Sequence, residues 1–566
     1  MGDIRRLVVA LAVGGTLVST GCGQAGPGGG SDERAAGPVR AYDINPVPRD
    51  QVKDGGTLRW GIDEYPSQWN LNHIDGNLAN VKVVIDALMP SPFRSDERAD
   101  ISANSDYLLD GRITHTEPRQ VVRYLLNPKA RWSDGTPITW ADYEAQWKAL
   151  SGDDADYRVA ATNGYQDIQS VVRGETDHEV IVTFARPFAD WQGLFSPLYP
   201  RVTNATPESF NDGWLNRIPI TAGPYRFGSF DRTAKTVTLV RDPGWWGQAA
   251  KLDQIVFRGL EGDALVAAFT NGELDLFDVG ASAPDNARAK AAADAVVRQA
   301  AGPDFRHITM NGESRALSDP AVRQAVAMGI DRQVIARSDL HGLDWPIELL
   351  NNHFFMNTQD GYQDNSGEIG RYDPAKAGQR LDAAGWKTVG DVRMKDGQEL
   401  SLRMVFPAGG QIGKAESELV QSMLRPIGVK VVLQPVPSDD FFTKYVIPGN
   451  YDLAPFAYIG TPYPVSSAYG QYADALPGPQ GRKRWNANLG RIGSPEIDRL
   501  LQQAGSELDP AAARALINEA DALIWKQVNV LPLYQRPQHV AARSSLANVG
   551  ARGFHDLRYA DIGFTR

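Results

Sequence analysis

The 566 residues include one cysteine and eight histidines, and no apolar run is long enough to span a bilayer. A single cysteine excludes an intramolecular disulfide framework and any cysteine-rich zinc cluster. The histidines, at positions 73, 115, 178, 307, 341, 353, 539 and 555, are spaced too widely for a helical metal pair, so structural or surface roles are expected and no metal or cofactor is assigned. G-x-S-x-G, H-E-x-x-H and G-x-G-x-x-G are all missing, which argues against an enzyme. Gly409-Gly410-Gln411-Ile412-Gly413-Lys414 lacks a phosphate loop's first glycine, at Ala408, and its hydroxyl, at Ala415. Basic residues are outnumbered, 58 against 68 acidic, which disfavours nucleic acid as a partner.

What is present begins with a leader. Arg5 and Arg6 precede the apolar run Leu7 to Val18, and Ser19, Thr20 and Gly21 lead into Cys22. A charged start, a short apolar stretch and small residues make a secretory signal of residues 1–21. The ending resembles a bacterial lipobox, with Ser19 where leucine is usual, and Cys22 is the expected lipidation site. Acyl chains there, at about 0.8 kcal/mol per buried methylene, would hold the protein at the extracytoplasmic face of the cell membrane. From residue 22 to 56 the chain is rich in Gly, Pro, Ala and charge and has no hydrophobic period, so it is expected to be a flexible tether.

The body alternates strand and helix signals. Strands are predicted at Thr57–Ile62, Val121–Asn127, Glu179–Ala185, Thr236–Arg241, Gln254–Arg258, Leu400–Phe406 and Val429–Val436, several with strict period-two patterning. Helix starts are marked by a capping residue followed by proline, at Asp319-Pro320, Asp373-Pro374, Ser494-Pro495 and Asp509-Pro510. In the last of these helices Leu516, Ala520, Leu523 and Ile524 are predicted to form the buried stripe. The 13 Trp, 19 Tyr and 19 Phe are mostly core, with some able to line a ligand cleft. The fold class is mixed α/β.

Punctuated motifs then recur in a fixed order. They are Trp132-Ser133-Asp134-Gly135-Thr136-Pro137-Ile138-Thr139, Gly223-Pro224-Tyr225, Asn271-Gly272-Glu273-Leu274-Asp275, Asp319 to Ala325, Ile330-Asp331-Arg332, Tyr372-Asp373-Pro374, Ala384-Gly385-Trp386, Ile427-Gly428-Val429 and Leu531-Pro532-Leu533-Tyr534. In that order the chain resembles the extracytoplasmic solute-binding proteins, family 5, of oligopeptide, dipeptide and nickel ABC importers. His73 to Asn77 and Leu350 to His353, with Gln359 to Gly367, look like the actinobacterial oligopeptide-binding lipoproteins within that family. Most of the motifs read as folding punctuation, such as a turn at Asp134-Gly135 and a cap at Thr139.

The resemblance implies a two-lobed, periplasmic-binding-protein-like (type II, cluster C) fold with an extra inserted domain. Its expected parts are lobe I at 57–95, 216–304 and 531–566, an inserted domain II at 96–215 and lobe III at 305–530, with crossings near Phe305 to Asn311 and Val530 to Tyr534. It also implies a monomer that captures a peptide between the lobes, largely through the peptide backbone, and delivers it to an ABC permease. Ligand contacts are expected from Ile74, Asp75, Gly76 and Asn77, from Tyr458, Ile459, Gly460 and Thr461, and from Asn351 and Asn352, which as loop asparagines could equally form turns. Thr461 departs from the family's oligopeptide binders, which carry there an aspartate that pairs with the ligand's terminal ammonium. Either Asp75 or another carboxylate replaces it, or the ligand lacks a free amine. A metal chelate, siderophore fragment or glycan as cargo, and an envelope regulator or scaffold without transport, are the alternatives.

Overall fold

The computed structural model describes residues 38–478 and 481–566. The signal segment, Cys22 and the first part of the tether lie outside the described residues. Fourteen strands position the site: β1 (Thr57–Ile62), β2 (Leu108–His115), β3 (Val121–Leu126), β4 (Ile168–Arg173), β5 (Glu179–Phe184), β6 (Tyr225–Asp231), β7 (Thr236–Arg241), β8 (Gln254–Gly259), β9 (Leu276–Asp278), β10 (Ala295–Met310), β11 (Ser401–Pro407), β12 (Lys430–Val436), β13 (Leu453–Ile459) and β14 (Val530–Arg543).

Ten of them make one sheet in the order β12-β11-β13-β10-β14-β9-β1-β8-β7-β6. β10 and β14 are its longest strands, with 16 and 14 residues, and they run antiparallel through both halves of the molecule. On one side they join the parallel β1, β8 and β9, and on the other the parallel β11 and β12 with β13. A separate four-stranded antiparallel sheet, β2-β3-β5-β4, forms between β1 and β6 in sequence. There Val180, Val182 and Phe184 of β5 are buried, as the alternation predicts.

The predicted caps form. Asp319, Asp373, Ser494 and Asp509 each accept a backbone N–H from the first turn of the helix that follows, and the proline at N1 forfeits no bond. Thr139 and Asp142 complete a capping box on the helix Trp140–Leu150.

Two expectations are corrected. Chain expected to be tether packs on the body from residue 43: Asp43 bridges Ala551, Val52 bridges Thr565, and Val52 is fully buried. In the helix Pro510–Gln527 the buried face is Ala513, Ile517, Ala520 and Ile524, with Leu516 and Leu523 only partly covered, because Asn518 and Asp521 turn inward to buried polar partners. The β10/β14 register shifts twice, between Ala301 and Phe305 and between Arg306 and His307. Residues 304–310 are already paired with β13.

Candidate functional site

β13 and the turn after it carry the predicted residues Tyr458 to Thr461. β13 pairs with β10 over its whole length, and the Gly460 N–H donates to the Pro303 carbonyl at 2.6 Å. Gly460 and Pro303 are therefore a hydrogen-bonded pair, and the alternation of an antiparallel ladder gives Tyr458–Phe305 and Phe456–His307 the same status. Ala457 and Ile459 consequently turn their N–H and C=O groups away from β10. On that far side β11 touches β13 only at Leu453, and no other strand pairs with the edge among the described residues. Ile459 is 54% exposed. The result is a short open sheet edge beside the β10/β14 register shift.

The neighbouring side chains fix this edge. Tyr458 is buried and stacks on His307 at 4.3 Å between ring centroids, and burial drives the His307 pKa well down. A Cβ on Gly460 would lie 3.1 Å from the Pro303 carbonyl and 2.8 Å from Met356, so this close approach requires glycine. Thr461 Oγ1 bonds within its own turn, donating to the Tyr463 carbonyl at 3.1 Å and accepting the Tyr463 N–H at 3.0 Å.

Ile74 to Asn77 form a turn on the other half. The Ile74 N–H donates to the Arg158 carbonyl at 2.9 Å, the Asp75 N–H donates to His73 Nδ1 at 3.0 Å, and the Asp75 carboxylate takes the Arg158 guanidinium at 2.7 Å. A Cβ at Gly76 would fall 2.1 Å from the Asn70 carbonyl oxygen, while Asn77 is exposed. Asp75 thus already has a cation, which weakens it as a substitute for an aspartate at Thr461.

Asn351 and Asn352 are structural in their contacts. Asn351 accepts from Arg332 and donates to Asp364, both at 2.9 Å. Asn352 is fully buried: its Nδ2 donates to the Gln363 carbonyl and Asn518 Oδ1, and its Oδ1 accepts the N–H groups of Phe354 and Phe355. All four of its hydrogen-bonding positions are used.

The two halves touch through residues that sequence reasoning did not single out. Asp190 accepts the Ser466 N–H at 2.9 Å, which caps the helix Pro464–Tyr472 from the opposite half. Asn163 donates to the Ser466 carbonyl at 2.9 Å, and the Ala189 N–H donates to the Gly505 carbonyl at 2.8 Å. Burial at this contact raises the Asp190 pKa. A cavity of about 500 Å³ adjoins the Arg98–Asp360 ion pair and is lined by Val39, Glu348 and Thr358, while a second of about 670 Å³ adjoins Arg332 and Asn351. Neither includes the β13 edge. Among the described residues no cluster of three or more His, Cys, Asp or Glu could hold a metal ion, and no helix is long and apolar enough to cross a membrane.

Two half-sheets threaded by two long strands, with contacts between the halves, are the architecture of a two-lobed binding protein. Residues 107–478 match the family description "Bacterial extracellular solute-binding proteins, family 5". The chain is 40% identical over 560 residues to the oligopeptide-binding protein OppA of Mycobacterium tuberculosis, covering 97% of this chain and 92% of that one. Among solved structures it superposes on the periplasmic EDTA-binding protein EppA with a TM-score of 0.83 at 26% identity, covering 94% of this chain and all of that one. It also superposes on Bacillus subtilis AppA, solved with a nonapeptide, with a TM-score of 0.71 at 19% identity over 91% of this chain and all of that one. The chain belongs to the extracellular solute-binding proteins of family 5. It is a substrate-binding protein and not an enzyme.

Proposed function

We propose that this protein captures oligopeptides between its lobes and passes them to an ABC permease while tethered to the outer face of the cell membrane through lipid on Cys22. The observation that carries the peptide reading is the open edge at Ala457 and Ile459. An extended peptide can add there as a strand, and since every peptide offers the same backbone groups, affinity comes without strong choice of sequence. The oligopeptide-binding relative at 40% identity supports the same cargo. The lobes follow the sequence boundaries given above, with Ile74 to Asn77 approaching the cargo from lobe I, and the protein acts as a monomer.

A second reading, a non-peptide solute such as a metal chelate, is favoured by the hydroxyl in place of a carboxylate at Thr461 and by the likeness to an EDTA-binding protein. Mass spectrometry of small molecules released by denaturing the purified protein separates the two. A ladder of mixed peptides supports the first reading, and one defined non-peptide mass replaces it with the second. The intact mass of the N-terminal fragment tests the anchor: acyl chains on Cys22 are expected, and an unmodified thiol would remove the anchor from the proposal.

A further inference from the structure

Tyr463 precedes the helix Pro464–Tyr472 without capping it through its own side chain, and its ring reaches the part of the chain that carries the four-stranded sheet. There the ring lies on Gly193. A Cβ at that position would stand 3.0, 3.1 and 3.3 Å from the ring's Cε2, Cδ2 and Cγ, closer than side chains ordinarily pack, so the contact requires glycine. Gly193 ends the single turn Trp191–Gly193, and Trp191 is buried edge-on against Phe93 and Tyr124, so the bare glycine is presented by a turn rooted in the core. Burial raises the Tyr463 pKa, with the Asp556 and Asp190 charges adding to it, and its hydroxyl stays neutral in this place.

Both sides of this contact are held in place. Thr461 Oγ1 donates to the Tyr463 carbonyl and accepts the Tyr463 N–H, which fixes the backbone from which the ring projects and gives this hydroxyl a task of its own. The Ser467 N–H donates to the same carbonyl at 3.2 Å. On the facing side the Gly193 N–H donates to the Asp190 carbonyl at 2.9 Å, while the Asp190 carboxylate takes the Ser466 N–H. The turn Asp190 to Gly193 therefore grips the turn Tyr463 to Ser466 twice, by a carboxylate on the helix start and by a bare backbone under the ring. Every partner in this contact is protein, so what it adds to a closed arrangement is the same for any cargo.

We propose that the turn Asp190 to Gly193 is a seat for Tyr463 that locks the two parts of the molecule together, with Gly193 kept bare to admit the ring and Thr461 positioning it, whatever the cargo. The test is disulfide trapping in the full-length chain carrying Cys22→Ser. Ala189→Cys and Gly505→Cys serve as the reporter pair, since their backbones are bonded across the same contact. Oxidation without added cargo should cross-link this pair. Gly193→Leu, which fills the place of the ring, should slow cross-linking about tenfold, and adding Tyr463→Ala to it should bring the rate back to within about threefold of the parent, which also reports that the chain is folded. Thr461→Val should slow it by about threefold, and Thr461→Ser should not. An undiminished rate in Gly193→Leu, or a slow rate that Tyr463→Ala does not relieve, overturns the seat. A reporter pair that never cross-links overturns it as well, and equal rates in Thr461→Val and Thr461→Ser remove Thr461 from it.

Discussion

Two segments, Asn351-Asn352 and Tyr458 to Thr461, are both candidates for ligand contact in the sequence, and the fold leaves their hydrogen-bonding groups in opposite states. Asn352 has every donor and acceptor taken by protein and no exposed surface. At β13 two residues keep unpaired backbone groups beside the gap and Ile459 stands exposed. Hydrogen-bond saturation, rather than residue type, separates the buried asparagine from the open edge.

The sharpest way to press that contrast is to break the saturated loop. Asn352→Ala leaves the Phe354 and Phe355 N–H groups and the Asn518 side chain short of partners in the core, and should cost about 3 kcal/mol of stability in thermal unfolding. Binding per folded molecule should not change. A variant that lost cargo affinity without losing stability would put Asn352 back in the site.

Next in size is a buried carboxyl behind the edge. Asp339 lies beside Glu416, which pairs with Arg306 of β10, and it accepts the Tyr534 hydroxyl of β14 at 3.1 Å. Burial, reinforced by the Glu416 charge, pushes the Asp339 pKa up to about 9 from 3.8. The folded state therefore binds a proton that the unfolded state releases between those values, so this group's contribution is complete below the unfolded pKa and is lost as pH rises toward 9. Asp339→Asn should flatten that slope and raise the melting temperature at pH 8 by a few degrees relative to wild type, with little change at pH 4. An unaltered pH slope would show that Asp339 is ionised in the fold.

At the edge itself, Ile459→Pro removes an N–H that points away from β10, so the ladder to β10 keeps its bonds. Peptide affinity should fall about tenfold, with the melting temperature nearly held. The smallest effect belongs to the contact between the halves. Asp190→Ala removes a cap worth about 1 kcal/mol, and since the cap exists only when the halves meet, apparent affinity should weaken about fivefold in calorimetry. Unchanged affinity would mean that the closed arrangement does not depend on this contact.

Much of the framework was legible because its signals are local. Alternation marked β1, β3, β5, β7, β8, β11 and β12, and the cap-proline pairs marked four helix starts. The errors lie where distant residues decide. Leu516 and Leu523 fit a core stripe on hydrophobicity alone, while Asn518 and Asp521 are buried by bonds to Asn352 and His353, more than 160 residues away. The chain after residue 43 lacks a hydrophobic period because it is held to the C-terminal segment at separate points, Asp43 to Ala551 and Val52 to Thr565, instead of forming an amphipathic element. The open edge could not be read locally either, since it depends on where β11 leaves β13.

The most direct test of the account is hydrogen exchange at the backbone amides of β13 with and without a bound peptide. Peptide capture along the edge predicts new protection at Ala457 and Ile459, with Asn351 and Asn352 unchanged. Protection that skipped those two amides would contradict strand addition as the way this protein holds its cargo.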